Sequence, residues 1–278
     1  MRSLAEQNVA ELGGRISVLN RQKRDHVRLD SLLDRLTGLP AAEQPPVLLK
    51  IYRLVFPHAF AEEAVLWPVL RRVLPEGRQL TLKVEMEHQA INELVTRLER
   101  LDPSSGERRQ VLDRVVALLR QDVRDEEDEL LPRLQRKLTK GQLRLLGLAW
   151  EAVRRAAPTR AHPVVSRRPP GNVLAAAPLS LIDHTRDGVD YLVHRRAGRE
   201  SHALRGLSSG LTRMSHAVER LPGMRRGEDL ATRVDGSRGG WVAAATITVA
   251  TAAIVVAVRR GRWRAAATRA RPAMAAFA

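Results

Sequence analysis

The sequence predicts an all-α protein built around an antiparallel four-helix bundle, and three observations lead there. Apolar residues recur at three- and four-residue spacing in four stretches between residues 15 and 138. The breaks between the stretches are short and carry turn chemistry, so consecutive helices must run antiparallel. The stretches also repeat in pairs. Asp25 to Leu36 reads DHVRLDSLLDRL and Glu87 to Leu98 reads EHQAINELVTRL, while His58 to Pro68 reads HAFAEEAVLWP and Asp122 to Pro132 reads DVRDEEDELLP. The offsets, 62 and 64 residues, mark an approximate duplication of one helical hairpin, which folds into a bundle with pseudo-twofold symmetry.

Helices are expected over 15–37, 44–75, 78–101 and 107–138. The first ends at Gly38 and Pro40 and the second at Pro75 and Gly77. The third gives way to DPSSGE, where Ser104 and Glu107 have capping-box spacing for the fourth. A fifth helix, about 140–156, begins at Thr139 with Gln142 closing another capping box; it would pack Leu143, Leu146 and Trp150 on the outside of the bundle. The bundle unit thus occupies 15–157. Residues 158–171, PTRAHPVVSRRPPG, read as a Pro/Arg-rich linker. Residues 172–238 are basic and weakly helical, and their Gly and Ser content argues against firm packing. Trp241 to Val258 carries no charge over 18 residues and precedes the run RRGRWR in a basic 259–278 tail. At 1.5 Å rise per residue it spans about 27 Å, slightly less than the roughly 30 Å hydrocarbon core, and it reads as a transmembrane or membrane-associated helix.

Composition narrows the chemistry. Cysteine is absent, which excludes disulfides, thiolate zinc sites, Fe–S clusters and cysteine nucleophiles, so any metal must be bound by His, Asp and Glu. The net charge of +16 is unevenly placed. Up to Ala157 there are 27 basic against 23 acidic side chains, a net of +4; beyond it there are 20 against 8, a net of +12. All the basic residues in the second part are Arg, and no aromatic-interleaved patch or reading motif accompanies them, so nucleic acid is not an expected partner. The N-terminus, MRSLAEQNVAELGG, has charges where a signal peptide needs an apolar run. The expectation is a cytoplasmic bundle, held at the inner face of the membrane through lipid contacts of the C-terminal segment.

Residues four apart on a helix share a face. His58 and Glu62 are so spaced, as are Asp122 and Glu126, and each pair can offer two ligands to one point in the core. The duplication sets His26 on the first helix and His88 on the third, one facing each pair. A dinuclear site of three imidazoles and three carboxylates follows, the carboxylates being suited to bridging two ions. The first 157 residues contain only these three histidines. Glu63 and Glu127 point about 100° away on an ideal helix and are expected beside the site or on the surface. Glu85 and Glu87 are expected to accept hydrogen bonds from ligating imidazoles. His162, His184, His194, His202 and His216 show no recurring paired spacing and are not expected as ligands.

The His26 region, the HxxxEExxLWP motif at His58, the Glu87-His88 pair and the xxxxEExxLLP motif at Asp122 resemble the hemerythrin-like HHE cation-binding family. The resemblance covers about residues 17–138. It implies a non-haem di-iron centre in a hemerythrin-like bundle, with His26, His58, Glu62, His88 and Glu126 as ligands and other divalent metals as substitutes for iron. The family pattern has His where this chain has Asp122. An anionic ligand there should favour ferric iron, pointing to a redox-active or sensory protein that meets oxygen, peroxide, nitric oxide or iron supply rather than to an oxygen store. The alternative is a membrane-associated interaction protein whose bundle has lost its metal. An enzyme is not expected, because no general acid/base pair for an organic substrate can be identified.

Overall fold

A computed structural model describes residues 2–195 and 202–234. Its elements are helical, with no strand among the described residues. Helix α1 (Val18–Thr37) pairs with α2 (Pro45–Ala61), and α4 (Gly77–Leu98) with α5 (Gly106–Asp125). At the end of each second helix the chain loosens into one wide turn, Glu62–Leu66 and Glu126–Leu130, before resuming as α3 (Trp67–Val73) and α6 (Leu131–Lys137). In each wide turn the amide of the next residue reaches back five positions, Trp67 to the Glu62 carbonyl and Leu131 to the Glu126 carbonyl. Both are followed by proline, Pro68 and Pro132, whose missing N–H and bulky ring are incompatible with the regular ladder. The duplication read from the sequence thus extends to a shared backbone irregularity.

Helix α7 (Lys140–Ala156) packs on α1 and α2. Its capping box is formed as expected, with Thr139 and Gln142 bonding reciprocally. It crosses the chain before α1 so closely that a Cβ on Gly147 would lie 2.1 Å from the Ile16 carbonyl oxygen, so only glycine fits. Helix α1 begins at Val18 rather than at residue 15, because Gly13 and Gly14, at φ of 90° and 103°, turn the chain ahead of it. The N-terminal arm is not idle: Leu4 and Leu12 are fully buried. The cap of α5 is shifted by one from the expected box. Ser105 accepts from the Arg108 amide, and Ser104 bonds Asp102 instead.

The apolar core falls into two clusters. One, including Leu29, Leu33, Ile51, Phe56, Ile91 and Leu119, fills the end of the bundle that holds the α1–α2 and α4–α5 connections. The other, including Leu19, Leu66, Trp67, Val84, Leu130 and Trp150, fills the opposite end. Between them lies a layer of buried imidazoles and carboxylates.

Residues 158–171 do not behave as the expected linker. Arg160, His162, Ser166 and Arg167 are buried against the bundle and against α8 (Gly171–Arg195) and α9 (His202–Glu219). Those two helices pack on each other and bury Leu179, Ile182, Leu211 and Val218, correcting the expectation of loose packing for the described part of 172–238. Their buried faces also carry Asp183, Asp187 and Glu219, which break the apolar pattern and are paired with Arg160 and His162. Among the described residues no helix is long and apolar enough to cross a membrane. Residues 241–258 and the 259–278 tail lie outside the described residues.

Candidate metal centre

Four helices bring the predicted residues to one place. His26 comes from α1, His58 from the last turn of α2, Glu62 and Glu126 from the two wide turns, His88 from α4 and Asp122 from α5. All are nine-tenths or more buried. Their donor atoms form two overlapping groups, His26–His58–Glu126 and Glu62–His88–Glu126, each with one atom per residue within 4.8 Å of the others. Glu126 belongs to both. Asp122 lies at the second group, its Oδ1 3.5 Å from His88 Nε2.

The imidazoles all face the same way. Nε2 of His26 lies 3.3 Å from Nε2 of His58 and 3.2 Å from Glu126 Oε2; Nε2 of His58 is 3.1 Å from Glu62 Oε1, and Nε2 of His88 is 3.7 Å from Glu62 Oε2. The opposite nitrogens turn outward to carboxylates: His26 Nδ1 donates to Glu127 at 2.9 Å, His88 Nδ1 to Glu63 at 3.0 Å, and His58 Nδ1 faces Asp25 at 3.4 Å. Such partners fix the Nδ1–H tautomer and aim the Nε2 lone pair inward, an arrangement characteristic of metal-bound histidine. Arginines flank two of the outer acids, Arg154 of α7 at 3.6 Å from Asp25 and Arg167 at 3.8 Å from Glu63.

Both carboxylate oxygens of Glu62, both of Glu126 and Oδ1 of Asp122 are buried without a hydrogen-bond partner. Unsatisfied buried carboxylate oxygens are costly, and bound cations would compensate them. Burial disfavours charge on His26, but the carboxylates of Glu126 and Glu127 beside it outweigh burial and raise its pKa to about 9. At His58 burial is likewise outweighed, by Glu62 and Asp25, with a pKa of about 10. Burial, then the charges of Glu62 and Asp122, push the Glu126 carboxyl up. Oxygen donors with imidazoles and no sulfur suit iron, zinc or manganese.

The outer contacts match expectation in part: Glu63 and Glu127 lie beside the site, whereas Glu85 and Glu87 do not bond an imidazole. Glu85 does not touch an imidazole; it pairs with Arg71 and Arg168. Glu87 sits beside Asp122 and Asp125, and burial followed by those two carboxylates raises its pKa to about 7. Glu63 and Glu127 take the outer role, because the wide turns rotate them inward beside Glu62 and Glu126. The signal for this was the Pro that follows each Glu-Glu pair. Asp25, Arg154 and Arg167 were not singled out; Asp25 precedes His26 as Glu87 precedes His88, but only Asp25 faces an imidazole. Of the later histidines, His162 is held by Asp183 and Glu219, while His184 bonds Ser180 and is exposed.

Residues 17–134 match the family described as Hemerythrin HHE cation binding domain. An uncharacterized hemerythrin-like protein of Schizosaccharomyces pombe is 25% identical over 131 residues, 47% of this chain. The chain spans 64% of the length of that relative. No solved structure matches the chain.

Proposed function

We propose that this bundle, whose residues 17–134 match the hemerythrin HHE cation-binding family, holds a non-haem di-iron centre with a redox or sensory role, ligated by His26, His58, Glu62, His88, Asp122 and Glu126. One observation carries the reading: two groups of inward-facing donors share Glu126, whose two oxygens are both buried and unpartnered. A carboxylate so placed can serve two ions at once. The iron pair would supply electron transfer and the binding of a small diatomic or peroxide ligand. The chain supplies the rest. Glu127, Asp25 and Glu63 hold the imidazoles in register, the apolar clusters on either side exclude bulk water, and a recess of about 300 Å³ between α1 and α5 reaches His26 and Glu127 from outside.

Three carboxylates in the inner set place more negative charge on the metal than a histidine-rich set would, which favours the ferric form. The protein is therefore proposed to react to an oxidant or to iron supply rather than to store oxygen. Reduced under argon and then exposed to air, it should pass to the ferric form and stay there. An absorption spectrum that returns to its starting form each time oxygen is withdrawn would contradict this.

A further inference from the structure

A further cavity among the described residues lies away from the candidate metal centre. It is a cleft of about 610 Å³ between the connection end of the bundle and helices α8 and α9. Its floor is apolar, with Leu48 and Leu98 buried in it, and Tyr52 beside them. Above the floor stands Arg108, only 6% exposed. Its guanidinium donates to the neutral Gln44 side chain at 2.8 Å, and no carboxylate among the described residues lies within ion-pair distance. A buried cation without a counter-charge is costly unless something supplies one. Arg160 and Arg186 also line the cleft and are paired with Glu99 and Asp190 of its wall, which leaves Arg108 as its buried cation without an acidic partner among the described residues. At the rim Arg100 and Arg213 form no ion pair among the described residues.

We propose that this cleft binds a small organic anion with a single charged head and an apolar body, the head on Arg108 and the body over Leu48 and Leu98. Guanidinium pairs carboxylates in a planar fork, and the rim arginines draw anions toward it. A cavity of this volume is of the size that small-molecule sites occupy. The site is separate from the candidate metal ligands, so it stands or falls independently of the iron reading.

Calorimetric titration of the full chain with octanoate, and with octylamine as the cationic counterpart, tests it. Octanoate should bind once per chain and octylamine should not. Arg108→Gln should weaken octanoate binding by about tenfold or more, as expected for loss of a charged hydrogen-bonding partner. Ser209→Trp, at an exposed position of the cleft wall, should abolish binding by filling the space, and it decides the matter if Arg108→Gln fails to fold. Absence of octanoate binding, equal binding of octylamine, or unchanged affinity in a folded variant would overturn the proposal.

Discussion

At the scale of the residue, the central object is Glu126, the member common to both donor groups. On the proposed di-iron reading, Glu126→Ala should abolish iron binding, whereas His88→Ala should lower iron content and His184→Ala, at an exposed position, should change nothing. Iron content per folded chain reads this directly. Asp122 is tested in the opposite direction. If it occupies an imidazole position, Asp122→His replaces an anion by a neutral ligand and should raise the redox potential; an unchanged potential and spectrum would mean that Asp122 does not coordinate. The inner residues were legible because helical spacing and duplication act on residue identity alone. The outer acids were less so. Ideal-helix geometry turns Glu63 and Glu127 away from the core, and only the five-residue hydrogen bond of the wide turn brings them to His88 and His26.

At the scale of the element, those wide turns make the site, and the prolines that follow them enforce it. Pro68→Ala restores an amide that can rejoin the regular ladder and would rotate Glu63 off the His88 Nδ1. Metal affinity, measured by competition with a chelator, should fall roughly 10–100-fold, as for loss of an outer carboxylate; unchanged affinity would show that the turn persists without proline. The second element-level device is the buried tie from residues 158–171 to α8 and α9. His162 faces Asp183 on α8, Glu219 on α9, with His216 also on that carboxylate and Arg167 on the His162 carbonyl. Burial opposes its charge, but Asp183 and Glu219 raise its pKa from 6.5 to about 10, and His162 and His216 outweigh burial to lower Glu219 from 4.5 to about 2. The histidine contribution is complete below pH 6.5 and is lost as pH rises through about 10; the glutamate contribution is complete above 4.5 and is lost as pH falls through about 2. The loss of thermal stability caused by His162→Gln should therefore be larger near pH 6 than near pH 9. A pH-independent loss would contradict the pairing. None of this was legible in the sequence, because buried Asp183, Asp187 and Glu219 interrupt the apolar periodicity that marks a packed helix, and an Arg- and Pro-rich stretch looks like a linker until its charges find partners.

At the scale of the whole molecule, the bundle is two apolar clusters joined through a layer of acids and imidazoles. The four-helix frame, its connections and the added α7 were readable from periodicity and turn chemistry, since apolar burial dominates there. The polar layer stabilises the fold only when its charges are compensated, so on the proposed reading metal binding would be coupled to stability. A ligand at a thousand times its Kd contributes about 4 kcal/mol, so removing the metal should lower the Tm by on the order of 10 °C for a chain of this size. A Tm unaffected by chelation would separate the layer from the metal. The most direct test is iron analysis of the folded chain, loaded with ferrous iron under argon and freed of excess. The account predicts about two irons per chain, and none in folded Glu126→Ala. A folded wild-type protein that retains no iron, or a Glu126→Ala protein that retains both, would contradict it.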